Sequence, residues 1–112
     1  SFPERIPLRH GERTALVPVA EIRRLEAHRK KVRIYARDRI HEVRDSLKRF
    51  EAEDLDPRRF VRVNRSQIVH LAFVVEIQPW FHGERALVLD DGTHVFTSRR
   101  FRDRVRRALP GC

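Results

Sequence analysis

Phe60-Val61-Arg62-Val63-Asn64-Arg65-Ser66-Gln67-Ile68-Val69-His70-Leu71 runs a short apolar strand into a cluster of arginine, asparagine and serine, and turns apolar again directly afterwards. Two hydrophobic flanks of this kind hold a polar cluster on a short, rigid excursion from a sheet. Arg62, Asn64 and Arg65 carry planar donor groups. Such groups match the edges of guanine and adenine, and the guanidinium fork also grips phosphate oxygens. Ser66 adds a hydroxyl for a phosphate or for the backbone of the turn.

The rest of the chain points to the same kind of partner. Its 112 residues carry 25 Lys+Arg against 16 Asp+Glu, a formal net charge of +9, which implies a polyanionic partner. Most of the cations are arginines, which make paired, directed hydrogen bonds where lysine acts as a point charge. A 40% hydrophobic and 37% charged composition suits a single globular domain with an ionic surface, and patterned apolar runs exclude a disordered chain. No apolar run approaches the ~20 residues that cross a bilayer, and nothing resembles a signal peptide. The single cysteine, Cys112, permits no disulfide framework and fits a reducing, cytoplasmic setting.

Pro3 and Pro7 mark residues 1–13 as a linker remnant, with the domain over 14–112. Thr14–Val17 reads as a strand stopped by Pro18, and Val19–Ile22 as a single turn leading into Arg23–Ala27. His28-Arg29-Lys30-Lys31 is a basic loop. Val32–Arg37 alternates as a half-buried strand does, and Asp38-Arg39 turns it into Ile40–Val43. A helix is expected from about Asp45 to Asp54, capped by Asp45 or Ser46, with Leu47 and Phe50 on its buried face. Asp56-Pro57 ends it.

After the Phe60–Val63 strand, Ala72–Gln78 reads as a further strand. His82-Gly83-Glu84 turns the chain into Arg85–Leu89. Asp91-Gly92 is a hairpin signal in which both positions favour positive φ, and Thr93–Thr97 is the partner strand. Ser98 is expected to cap a last helix with Phe101, Val105 and Leu109 as its apolar stripe. Trp80 and Phe81 read as core or a hairpin staple, or else as a contact with another protein. The expected fold is mainly β, an elongated sandwich of small antiparallel sheets with one or two short helices.

This order of motifs resembles the LytTR family of DNA-binding output domains of bacterial response regulators. The resemblance rests on Leu25-Glu26-Ala27 before a basic loop, Ser46-Leu47, Arg62-Val63-Asn64-Arg65-Ser66, Ile68-Val69, the Asp91-Gly92 hairpin and Thr97-Ser98-Arg99-Arg100, and it spans roughly Thr14 to Leu109. It implies sequence-specific double-stranded DNA binding, with loops from one edge entering successive major grooves and two copies sitting on direct repeats. The loops it implies are His28-Arg29-Lys30-Lys31, Asn64-Arg65-Ser66 with Arg62 behind them, and Ser98-Arg99-Arg100. The chain departs from the family pattern in three places. Asn64 stands where histidine is frequent, His70 where asparagine is usual, and no aromatic lies near Lys31. The family further implies a receiver domain or a membrane segment elsewhere in the full-length protein, and a homodimer on DNA.

Within that frame, Asn64 suits adenine and Arg65 guanine, while Lys30 and Lys31 suit phosphates without regard to sequence. Arg99 and Arg100 would stand at a helix N-terminus where backbone N–H groups favour an anion. Arg104, Arg106 and Arg107 read as surface decoration suited to the helix C-terminus, and His70 as structural. The histidines lack metal-ligand spacing, no nucleophile elbow or Gly-rich phosphate loop is present, and no cofactor is called for. Two rival readings remain open from the residues alone: a small β-barrel for RNA or single strands, and a basic protein-interaction module.

Overall fold

Alternating apolar and polar side chains build the centre of the molecule. In Lys31–Ala36 and Ile40–Arg44 every second residue is buried, so each strand offers one face to a core and one to water. The computed structural model describes residues 1–112. Its elements are β1 (Arg5–His10), β2 (Arg13–Pro18), β3 (Ile22–His28), β4 (Lys31–Ala36), β5 (Ile40–Arg44), α1 (Leu47–Glu53), β6 (Phe60–Asn64), β7 (Gln67–His70), β8 (Val74–Pro79), β9 (Arg85–Leu89), β10 (His94–Phe96) and α2 (Arg102–Ala108). All strand pairs are antiparallel. A β1-β2 hairpin accompanies a five-stranded sheet of order β5-β4-β3-β7-β6 and a three-stranded sheet of order β10-β9-β8. With principal extents of 45 × 27 × 25 Å, the molecule is the elongated, mainly β body expected.

Strands β6 and β7 lie between two cores. Phe60 and Ile68 pack into the first with Ile6, Leu25, Ile34 and Phe50. Val61, Val63 and Val69 pack into the second with Leu87, Val95 and Val105. Burial on both faces explains why the flanks of the Arg-Asn-Arg-Ser cluster are nearly continuous runs of apolar residues. Arg23 joins the two larger sheets. It is the extra residue of a bulge between β3 and β4, and its guanidinium donates to both oxygens of Asp90 (2.7 and 3.2 Å). That hydrogen bond holds the Asp90 carboxyl below its ordinary value.

Several expectations need correction. Residues 5–10 are no linker: they pair with β2, and Ile6 and Leu8 are fully buried in the first core. Pro7 is tolerated because β1 lies at the edge of a two-stranded sheet, where a missing N–H costs little. Residues 71–73 form a single 3-10 turn, so the following strand starts at Val74 instead of Ala72. In the Asp91-Gly92 turn only Gly92 takes positive φ (87°), while the Asp91 carboxylate accepts the Thr93 N–H (3.0 Å). Trp80 and Phe81 are not core. They are 43% and 69% exposed, and Trp80 packs across the sheet on Phe96, ring centroids 4.8 Å apart.

The first helix is close to expectation. The Ser46 hydroxyl accepts the Arg49 N–H (3.2 Å), Asp45 accepts from the Arg49 guanidinium, and Leu47 and Phe50 are buried. His70 is structural too. Its Nδ1 donates to the Ile22 carbonyl at 2.8 Å, and its ring stacks on Phe60 with centroids 4.3 Å apart.

Candidate nucleic-acid interface

The first basic loop is the tight turn between β3 and β4, and His28, Arg29, Lys30 and Lys31 are all exposed there. Arg29 holds φ at 60°, a left-handed conformation that costs a non-glycine residue about 1 kcal/mol. Lys31 leans back toward Glu42 (3.5 Å), whose other oxygen accepts from Arg33 (2.9 Å) and whose carboxyl is thereby held below its ordinary value. Arg29 and Lys30 are the two cations that project.

The second loop is the turn from β6 to β7. A bulge makes Val63 the extra residue between the Arg62–Ile68 and Asn64–Gln67 pairs. Arg65 at its tip is exposed, and Ser66 is half-buried. The two other donors of the cluster are not free. The Arg62 guanidinium donates to the carbonyls of Asn64 (3.0 Å) and Arg65 (2.5 Å) and pairs with Glu51 (2.8 Å). Asn64 spends its amide nitrogen on Gln67 Oε1 and the Phe96 carbonyl, both at 2.8 Å, and its oxygen on the Ser66 N–H, also at 2.8 Å. Through these bonds Arg62 and Asn64 brace the turn that carries Arg65.

The third loop, Ser98-Arg99-Arg100, follows β10. The Ser98 hydroxyl caps nothing. Residues 99–101 form a 3-10 turn, and α2 begins only at Arg102. Arg99 and Arg100 are exposed on that turn and not on the first turn of an α-helix. The Arg100 guanidinium lies 5.4 Å from the ring centroid of Phe101, which Arg62 and Arg104 also approach at 5.6 and 5.1 Å.

Hydrogen bonds stitch the loops along one edge. The Ala27 N–H, just before the first loop, donates to the Ser66 carbonyl of the second (2.8 Å). The Ser98 N–H of the third donates to the Val63 carbonyl at the bulge (2.9 Å), and Asn64 reaches the Phe96 carbonyl from the other side. Gln67 adds a bond to Glu26 (3.0 Å), which in turn accepts from the Tyr35 hydroxyl (3.3 Å). A cluster of exposed cations is thus carried on backbone that is fixed by its neighbours.

One further cation belongs here. Lys48, exposed near the start of α1, lines a shallow depression together with Arg29, Lys30 and Arg62. Nothing in the sequence marks Lys48, because only the packing of α1 beside β3 brings it to this edge.

The model of the LytTr DNA-binding domain family matches residues 12–110 of the chain. The sensory transduction protein LytT of Bacillus subtilis (strain 168) is 29% identical over 105 residues, which take in 94% of this chain and 43% of that protein. The transcriptional regulatory protein LytR of Staphylococcus aureus (strain N315) is 24% identical over 101 residues, 90% of this chain and 41% of that one. The chain therefore spans less than half the length of these relatives. A solved LytTr DNA-binding domain from Bacillus cereus superposes with a TM-score of 0.86 at 28% identity, covering 96% of this chain and 98% of that one.

Proposed function

This chain belongs to the LytTR family of DNA-binding domains, and from that membership we propose that it is the sequence-specific, double-stranded-DNA-binding output domain of a bacterial transcription regulator. The observation that carries the reading is the edge on which Ala27–Ser66, Val63–Ser98 and Asn64–Phe96 hydrogen bonds align three cationic loops. A duplex laid along that edge meets Arg29 and Lys30, then Arg65, then Arg99 and Arg100. The loops enter successive major grooves.

Arg65 is the base reader in this scheme. It projects from a turn held by Arg62 and Asn64, so its backbone is positioned before DNA arrives, and a guanidinium fork on guanine N7 and O6 contributes ~1–3 kcal/mol of discrimination. Arg29, Lys30 and Lys48 supply phosphate contacts that position without specifying. Arg99 and Arg100 act at the far end of the edge, on phosphate or base. Two copies on direct repeats, brought together by a receiver domain elsewhere in the full-length protein, would gain affinity through effective concentration. No helix of the chain is long and apolar enough to cross a membrane.

Selection of bound duplexes from a random pool tests the proposal. A recovered consensus with two like-oriented half-sites spaced about one helical turn apart is the expected result. Recovery of no consensus, with affinity the same for any polyanion, would contradict it.

A further inference from the structure

A groove runs down the flank of the molecule between α1, β6 and α2. Arg58, Arg62, Arg104 and Arg107 line it with Glu51, over a floor that includes Phe60. These guanidinium groups are not equally available. Arg62 is committed to Glu51 and to the carbonyls of the second loop. Arg58 pairs with Asp56 (3.1 Å) while its side chain stays 87% exposed, and Arg104 reaches Glu51 only at 3.6 Å. Arg107 is exposed on the last turn of α2. The Arg104–Glu51 pair is long and solvated and contributes little, so Arg104 can turn to another anion at small cost. Asp56 is itself buried and keeps Arg58 Nε and Nη2, leaving Nη1 for a second anion.

The groove is continuous with the proposed DNA edge. Arg62, Arg100 and Arg104 surround Phe101, so guanidinium groups lead from the third loop past Arg104 to Arg107 and Arg58. Strand β6 runs from the groove at Phe60 to the tip at Asn64, about 13 Å at ~3.3 Å per residue. Arg104 and Arg107 stand three apart on α2, which places their Cβ atoms ~5–6 Å from each other. That interval suits successive or alternate phosphates on one strand, which follow at ~3.4 Å along the duplex axis.

We propose that this groove holds the sugar–phosphate backbone of duplex flanking the base pairs that the three loops meet; the inference rests on the function proposed above. Arg58, Arg104 and Arg107 bind phosphates there, and no base is read. Continuity favours duplex over an acidic protein segment, since one polyanion can occupy both the tips and the groove.

The test uses two duplexes carrying one selected site, the longer extended by about one helical turn, ~10 base pairs, on each side. Binding is titrated across salt concentrations for the wild-type domain, for R58Q/R104Q/R107Q, and for R5Q/R9Q/R13Q as a charge-matched control on the β1-β2 hairpin. The wild type should bind the longer duplex about tenfold tighter at low salt, with a log–log salt slope steeper by about 2–3, at ~0.9 per phosphate. The groove variant should bind the short duplex as the wild type does and lose the gain on the long one, while the control keeps it. Arg107→Gln alone, which breaks no ion pair, should lower the slope on the long duplex by about 0.9. Equal losses on both duplexes, or the same loss in the control, would overturn the groove in favour of diffuse charge. Capture of a polyglutamate peptide with no length-dependent gain would overturn it in favour of an acidic protein segment. If Arg65→Ala still lowers the preference for the selected site over random duplex while no length gain exists, only the groove is wrong. If the wild type shows no such preference, the functional reading falls and the groove with it.

Discussion

The side-chain amide of Asn64 donates to the main-chain carbonyl of Phe96 at 2.8 Å and so ties the β6–β7 turn to β10. The same side chain also bonds Gln67 and the Ser66 N–H. An asparagine with its bonding capacity spent in this way acts as a brace for two of the three cationic loops. Asn64→Ala should therefore cost stability of ~0.5–1.5 kcal/mol, the net range for hydrogen bonds that are only partly buried. It should also weaken binding to every duplex, because both loops lose their alignment. Urea denaturation with parallel titrations on selected and random DNA measures both. Unchanged stability with discrimination lost at one base position would make Asn64 a base reader instead.

Arg65 stands at the tip that this brace holds. Arg65→Ala should reduce the preference for the selected site by ~1–3 kcal/mol and leave the fold intact, since the residue is exposed. Competition binding with site variants would locate the relaxed base pair. An equal drop for selected and random duplexes would assign Arg65 to a phosphate.

Burial holds the His70 imidazole below its ordinary value, against the opposing pull of the Ile22 carbonyl that accepts its N–H. Burial, with Arg39 and His10 nearby, lowers His41 as well. The unfolded chain then takes up protons near pH ~6.5 that the folded chain excludes. Stability from these groups is fully present above that pH and is lost as pH falls through the folded-state values. Thermal melting from about pH 8 to about pH 5 should show Tm falling on the acid side, and His70→Gln should flatten part of that fall. A wild-type Tm that does not change over this window would refute the assignment.

Ile6 is fully buried beside Leu25, Ile34 and Phe50, which makes the first strand part of the domain. Ile6→Ala should destabilise by ~2–5 kcal/mol, comparable to Leu47→Ala in α1. If Ile6→Ala melted with the wild type while Leu47→Ala did not, β1 would be dispensable.

Periodicity made most of the sheet legible, because Val32–Ala36, Ile40–Val43 and Phe60–Val63 each alternate or run apolar as their burial demands. It did not reveal β1. Pro3 and Pro7 suggest a broken linker, yet Ile6 and Leu8 carry the period-two signal of a half-buried strand, which an edge position allows to coexist with proline. The positions of the three loops were also readable, through their basic residues between apolar flanks. What residue type could not disclose was which donors are free. Arg62, Asn64 and Arg65 look alike in sequence, and only tertiary placement turns the first two inward and leaves the third outside. Lys48 was hidden for the same reason.

In the proposed complex three loops on one edge meet a single duplex. Backbone amide shifts recorded while a selected duplex is titrated into the domain test it most directly. Residues 28–31, 64–66 and 98–100 should shift together at one stoichiometry while the β1-β2 hairpin stays silent. Shifts centred on the hairpin, or loops that respond at separate DNA concentrations, would contradict it.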